Sequence, residues 1–559
     1  MKEKKLYLEK LNTHILISIF VFLASFIILF GIGGGPVTND ELKYLNRAMF
    51  MEADSRLLNR FVHIYLLRFF VWLGGPEAGA AAFTAIVMSA TLAFTYLIGA
   101  GLSRWKKPAS GLIAVVIVVL QPSIFRYVGV SYADFTLMMF VALGSVIFLM
   151  GAPTEERPNY FSAFFLGFVM FLAFKTKETG IILGLLYFGI IFGCGVFTLR
   201  LAVIDSFMWL CGLLCGLFVL MTVDFFILGD VFHSIRGQNM VDVIAKQIGN
   251  HIRSRGNSFS YVFLSDLAVP VFLYLCALFC CAPKIDAIKF KVLGFLPIFL
   301  ALFLAIASVP GRWNLAPRYF VPAIPAVAAF GGYYLSELAG KVQLVKLVQT
   351  KPKTWALGAL AISVALLGVV GAGMHLRGLS STVSTNGWDP YTFVLNVIYP
   401  TVLAALLAVI VFVRQSSCWY GRLIIMTSFI AALPMMVALP NNLFFSTRLY
   451  QNRIYPLEVF KEYLHPISET KILVSRQLIE KTGMLEGAPF LLSARFNFPI
   501  TDERFETSEN WPENEEFDYA FGLEEDISLW RNVQGYSEGR IVREPEGKVI
   551  LICRVETCR

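Results

Sequence analysis

Charge is scarce in this chain. Only 15% of its 559 residues are Asp, Glu, Lys or Arg, against about 25% in a soluble globular protein. A surface facing water cannot be covered at that density, which excludes a soluble enzyme, a disordered tail protein and a nucleic-acid-binding module. Cysteine is sparse and bland: six of the nine (Cys194, Cys211, Cys215, Cys276, Cys280, Cys281) lie in apolar runs, where the thiol acts as a small hydrophobe. Cys553 and Cys558 could pair in an oxidising compartment. With no histidine near them, they do not make a zinc site. No internal repeat occurs, so the repeat architecture of many secondary transporters is not supported.

What the chain has in quantity is apolar length. Hydrophobic residues make up 57% of it, and runs of about 20 such residues recur, matching the roughly 30 Å hydrocarbon core of a bilayer. The sequence predicts a polytopic α-helical membrane protein of about thirteen spans. They fall near 15–32, 79–101, 109–121, 134–150, 160–175, 180–198, 202–223, 262–282, 292–309, 319–338, 355–374, 392–413 and 423–444. The first resembles a signal peptide, but its apolar region is too long and no small-residue cleavage site follows, so it reads as an uncleaved span.

Charge is also unevenly placed. Residues 446–559 hold 14 basic and 20 acidic groups, the remaining 445 hold 33 and 19. A basic membrane body, residues 1–445, therefore carries an acidic soluble tail, 446–559, in which Lys471–Val474, Pro489–Leu492 and Val549–Cys553 look like strands. Arg476–Lys481 looks like a helix fragment and Asn510–Asp518 a loop, so the tail reads as a small α/β or α+β unit. The short basic links Arg104–Lys107, Lys284–Lys291, Lys341–Lys353 and Arg414–Arg422 mark the cytoplasmic side, with the N-terminus beside them. The longer links, about 35–78, 224–261 and 375–391, then lie outside, as does the tail. The outer side carries Arg47, Arg56, Arg60, Arg236, Arg253, Arg255 and Arg312 against the usual bias. Such cations either snorkel to headgroups or bind an anion.

Four clusters on that outer face could do chemistry. Gly33-Gly34-Gly35-Pro36 ends the first span, and Thr38, Asn39 or Asp40 can cap an amphipathic helix running to Phe50. Asp40 and Glu41 are adjacent carboxylates at the membrane surface, able to take a proton from a hydroxyl or simply to cap the helix. Asp134, at the start of another span, either caps it or faces the same cavity. Lys175-Thr176-Lys177-Glu178-Thr179-Gly180 places two ammonium groups beside an apolar wall, suited to a lipid phosphate or to interfacial anchoring. Pro317-Arg318-Tyr319-Phe320-Val321-Pro322 opens a further span.

These residues carry a resemblance. Asp40-Glu41-x-x-Tyr44 after the first span resembles the signature of GT-C membrane glycosyltransferases, particularly protein O-mannosyltransferases and lipid A aminoarabinose transferases. The likeness continues in the family's order, over about residues 14–340. It takes in Arg60–Gly75, which looks like an outer helix ending in a Gly corner, then Asp134, Thr176-Lys177-Glu178, Gly229-Asp230-Val231-Phe232 and Arg318-Tyr319. The family's Lys-Pro-Pro-Leu stretch is absent, and Arg60 to Leu66, including His63, stands in its place.

The resemblance implies an inverting transfer of a sugar from a polyprenyl-phosphate donor to a protein, lipid A or glycan hydroxyl at the outer face of a plasma membrane, a bacterial inner membrane among the possibilities. Asp40 would be the general base, with Glu41 and Asp134 beside it. Tyr44, Arg60, His63, Lys175, Lys177, Glu178, Arg318 and Tyr319 would contact substrate. No cofactor or catalytic metal is expected, and no nucleic acid partner. A carrier or flippase of lipid-linked sugars, and a polysaccharide ligase or polymerase, are the alternatives. A carrier would be expected to hold its ionisable groups deep within spans.

Overall fold

The computed structural model describes residues 2–32, 39–50, 60–121, 124, 131–151, 160–184, 199–234, parts of 271–278, 287–308, 317–339, 472–475, 505–508, 517, 519–523, 536–544 and 547–554. The expected spans at 355–374, 392–413 and 423–444 lie outside these residues, as do most of 180–198 and 262–282. So do the Pro489–Leu492 strand and the Arg476–Lys481 helix.

Helix α1 (Lys2–Ile32) is the first span, extended back through the charged N-terminus. Helix α2 (Asn39–Phe50) follows where the capping residues and the amphipathic pattern require it. The next helix, α3 (Phe61–Leu102), is bent at Gly75, whose φ of 77° and ψ of 175° are non-helical. That region is essentially reserved for glycine, and Pro76 then suits the first turn of the second limb. The chain folds back sharply there. A Cβ on Gly79 would lie 2.4 Å from the Phe70 carbonyl oxygen, so only glycine allows the two limbs to meet.

Beyond the corner come α4 (Pro108–Val119), α5 (Ala133–Gly151), α6 (Tyr160–Thr176) and α7 (Leu199–Leu228). They are followed by α8 (Ala287–Ser308), a 3-10 turn (Pro317–Ala323) and α9 (Ile324–Ala339). Among the described residues, four helical stretches are long and apolar enough to cross a membrane: Leu11–Gly31, Ala78–Leu102, Ala133–Met150 and Val203–Leu228. The expected span at 109–121 falls on α4, which is 12 residues long. At 1.5 Å per residue it reaches only about 18 Å, too short to cross alone. The expected span at 319–338 starts with the 3-10 turn that holds Pro322, because proline disfavours the α conformation at its predecessor.

The bundle core lies where α3, α4, α5 and α9 meet, around Tyr96, Phe135, Phe330 and Tyr334, all fully enclosed. Small residues let these helices touch backbone to backbone. A Cβ on Gly332 would meet the Ser110 carbonyl oxygen at 2.5 Å, and one on Gly111 the Tyr96 carbonyl oxygen at 2.5 Å. Close approach through glycine is how helices associate where lipid supplies no hydrophobic drive. Helices α6 and α7 do the same reciprocally, with Gly167 against the Trp209 carbonyl and Gly212 against that of Phe164.

The tail contains a five-stranded sheet in the order β2-β1-β3-β5-β4. Its strands are β1 (Ile472–Ser475), β2 (Phe505–Ser508), β3 (Tyr519–Leu523), β4 (Tyr536–Glu544) and β5 (Gly547–Arg554). β1 runs parallel to β2 and β3, and β5 runs antiparallel to β3 and β4. The register shifts between Glu538 and Ile541, where Gly539 permits a bulge. β1 and β5 fall where the sequence predicted strands, whereas β2, β3 and β4 were not anticipated.

Candidate active site

One end of the bundle gathers polar side chains from segments far apart in sequence. Helix α2 is the first contributor. Its Glu41, Tyr44, Leu45 and Ala48 recur at helical spacing and are each 1% exposed or less, so this face is turned wholly inward. The Glu41 carboxylate accepts a hydrogen bond from the Ser131 backbone N–H at 2.7 Å. That bond ties α2 to the entry of α5. Asp40 holds the second position of α2, in the first turn, where the helix dipole stabilises a carboxylate anion. The side chains of Asp40, Glu178, Arg318 and Tyr319 lie outside the described residues.

The first limb of α3, residues 61–74, which the sequence reading puts on the outer side, supplies the next layer. Arg60 donates a hydrogen bond to the Tyr44 hydroxyl oxygen and lies over the same ring, 5.5 Å from its centroid. His63, one turn on, meets Tyr44 edge-on at 4.9 Å. It shares a 2.9 Å hydrogen bond through Nδ1 with the Thr136 hydroxyl. His63 is fully enclosed. Burial, aided by the Arg60 guanidinium, pushes its pKa from 6.5 down to about 3, so the ring is neutral at physiological pH.

Asp134 stands in the first turn of α5 and is 2% exposed. Its carboxylate receives a hydrogen bond from the Lys177 ammonium, forming a buried ion pair. Lys177 owes its place to a tight turn after α6. The Lys177 N–H bonds to the Ala173 carbonyl at 3.0 Å and the Gly180 N–H to the Lys177 carbonyl at 2.8 Å. A Cβ at Gly180 would come within 2.3 Å of the Ala173 backbone, so the glycine of the Lys177-Glu178-Thr179-Gly180 stretch is a packing requirement. Lys175, buried as well, has its ammonium 6.0 Å from the centre of the Phe174 ring.

A second polar node lies across the outer limb of α3. Tyr65 donates to the Asp224 carboxylate, which also accepts from the Ser234 N–H at 3.0 Å and the Ser234 hydroxyl at 2.7 Å. Burial and the Asp224 anion push the Tyr65 hydroxyl pKa upward, so it remains a donor. Arg68 binds the Ala48 and Met49 carbonyl oxygens at 2.9 and 3.1 Å. It thereby satisfies carbonyls that the last turn of α2 leaves open.

Glu41, Tyr44, Arg60, His63, Asp134 and Lys177 are thus brought together. Ser131, Thr136, Tyr65, Arg68, Asp224 and Ser234 were not singled out in the sequence. Asp224 carried a signal, being an acid close to the end of an apolar span, where ionisable groups are rare and have partners. The opposite end of the bundle has its own contacts. Lys107 pairs with Glu337 at 2.7 Å, and His14 bonds to the Tyr96 hydroxyl at 2.7 Å and the Trp105 carbonyl at 3.1 Å. The basic Arg104–Lys107 link therefore sits at the other end of the helices from the acidic cluster.

By sequence the chain matches no family model and no curated protein. By structure it is similar to ArnT from Cupriavidus metallidurans bound to undecaprenyl phosphate, with a TM-score of 0.57 and 14% identity over 97% of this chain and 98% of that one. The apo state of the same protein gives 0.58 and 15% over the same shares. The archaeal oligosaccharyltransferase AglB from Archaeoglobus fulgidus gives 0.42 and 12% over 98% and 74%.

Proposed function

We propose that this chain, which has the fold of ArnT over nearly its whole length, moves a sugar from a polyprenyl-phosphate donor to a hydroxyl acceptor at the outer membrane face. The observation that carries the reading is the convergence of Glu41, Tyr44, Arg60, Asp134 and Lys177 at one end of an apolar bundle. The ArnT relative was solved with undecaprenyl phosphate bound, which supports a lipid phosphate as the donor's carrier.

In this reading the acceptor oxygen attacks the anomeric carbon as the Asp40 carboxylate takes the hydroxyl proton. The bond from that carbon to the phosphate oxygen breaks, and its electron pair leaves with the lipid phosphate. Configuration inverts. Charge building on the departing phosphate is stabilised by cations fixed in a water-poor site, where such stabilisation is strong; Lys177, Arg60 and Arg318 are assigned this part. Lys175, Glu178 and Tyr319 are assigned to donor binding, and a protein, lipid or glycan hydroxyl is the acceptor. Glu41, already engaged by the Ser131 N–H, holds α2 in place instead of exchanging protons. His63 supports Tyr44 from behind.

The deciding experiment is turnover of polyprenyl-phosphate sugars by purified Asp40→Asn protein. Asn keeps the size of Asp at the second position of α2 but takes no proton, and loss of a general base costs on the order of 10²- to 10⁴-fold in rate. Near-normal turnover would end the assignment of Asp40. Glu41→Gln should lose much less. Movement of intact donor across vesicles without transfer would point to a carrier.

A further inference from the structure

The outer limb of α3 is held from two sides. On one, Arg60 and His63 face Tyr44 and Thr136. On the other, Phe61 and Tyr65, four residues apart, face the end of α7. Phe61 packs edge-on against His233 with ring centres 5.9 Å apart, and Tyr65 bonds to Asp224. His63 and Tyr65 are two positions apart in α3, about 200° around a helix at 3.6 residues per turn, so the two anchors oppose each other. A single helix turning about its axis would carry both at once.

The far anchor is built for rigidity. Asp224 is 1% exposed and Ser234 is fully enclosed. Its carboxylate accepts three bonds from two segments, Tyr65 on α3 and the Ser234 N–H and hydroxyl on the returning chain. The return is sharp: Gly229, at φ 71°, ends α7 and gives its N–H to the Phe225 carbonyl at 2.9 Å. That is the left-handed closing residue for which glycine is preferred. Asp230 then accepts the Phe232 N–H at 3.1 Å to finish the turn.

We propose that Asp224 is a positioning residue for the transfer site: it clamps Tyr65 to the Gly229–Ser234 return, fixing the rotation of the outer α3 limb and with it the Arg60 guanidinium over Tyr44. The inference rests on the transfer reading above, because it matters to rate only if Arg60 meets the departing phosphate. Asp224 touches no substrate in this scheme. Its influence passes through Tyr65 and about one turn of helix to Arg60. Geometric loosening of this kind is costly, since a 1 Å misplacement can lower a rate about 10²-fold.

The test uses full-length protein in lipid nanodiscs, as wild type, Tyr65→Phe, Asp224→Asn and the double variant. Four quantities are read: turnover per folded molecule with a polyprenyl-phosphate sugar, binding of undecaprenyl phosphate, amide hydrogen exchange and melting temperature. Tyr65→Phe keeps the ring beside Phe61 and removes one bond, so it should fold. Expected are a kcat about ten- to a hundredfold lower, lipid phosphate binding and donor KM within about twofold, and faster exchange over residues 61–67 and 231–234. The double variant should fall no further than the worse single one, as coupled residues do. Unchanged exchange in those segments overturns the clamp. Faster exchange with unchanged kcat overturns the positioning role, as does a loss of activity that tracks melting temperature alone. If the wild type transfers no sugar while exchange responds as expected, the transfer reading fails and the clamp stands.

Discussion

Lys177 donates its ammonium to the Asp134 carboxylate across 43 residues of sequence, joining the turn after α6 to the first turn of α5. Both side chains are buried, at 9% and 3% exposure. The pair fixes the relative height of two helices at the end where the candidate active site lies.

Breaking that pair one partner at a time should be harsh. A lone buried charge left by Lys177→Met or Asp134→Leu costs about 3–5 kcal/mol, whereas removing both charges together is often close to neutral. Thermal unfolding of the two single variants and the double one checks this. Recovery of melting temperature in the double variant, with donor turnover still lost, is the expected pattern. A double variant as unstable as the singles would show that the pair is not what holds α5 to α6.

His63 makes stability depend on acid. Its folded pKa of about 3 lies below the ordinary 6.5, so between these values the unfolded chain binds a proton that the folded chain refuses. Stability therefore rises with pH across that window. The His63 contribution is fully present above about pH 6.5 and fades as pH falls toward 3. Melting temperature measured from pH 7 to 4 should drop more steeply in wild type than in His63→Gln. Parallel curves would count against a neutral buried ring.

Two glycines of the α3 corner should resist alanine for different reasons. Gly75 has open space around its missing Cβ but a φ of 77°, so Gly75→Ala pays backbone strain of about 1–3 kcal/mol. Gly79 has ordinary dihedrals but no room, with the Phe70 carbonyl oxygen 2.4 Å from the added atom. Gly79→Ala must push the two limbs apart. Hydrogen exchange should show that separation as faster exchange in residues 66–74, and Gly75→Ala should lower the melting temperature without it.

The two ends of the bundle should lie on opposite sides of the membrane. Trp72 is 78% exposed on the outer limb, and Lys106 lies in the basic link beside Trp105. In intact cells, a membrane-impermeant thiol reagent should label Trp72→Cys and spare Lys106→Cys until the membrane is opened. A cytoplasm-only reporter fused after Arg559 should stay silent. The reverse labelling would invert the proposed orientation.

Some of this was legible in the chain and some was not, for physical reasons. The Gly33–Pro36 break and the capping residues announced α2 because each is a local rule, whereas the corner at Gly75 and the place of Tyr44 were expected only from the family resemblance. The partners of these residues were hidden. Nothing in sequence marks the Ser131 backbone N–H as the donor to Glu41, since every residue but proline has one. Tyr65 and Asp224 are 159 residues apart, and only tertiary packing brings them together. β2, β3 and β4 were missed because Phe505-Glu506-Thr507-Ser508 and the charged β4 resemble polar loop, and their pairing is what orders them.

The glycine contacts at Gly111 and Gly332 lie toward the end of the bundle that holds Lys107 and Glu337, where backbone presses on backbone. The end that holds Glu41 and Asp134 adds side-chain bonds between its segments, from Arg60 to Tyr44 and from Lys177 to Asp134. Backbone pressed on backbone yields only if whole helices part, whereas side-chain bonds can be exchanged one at a time.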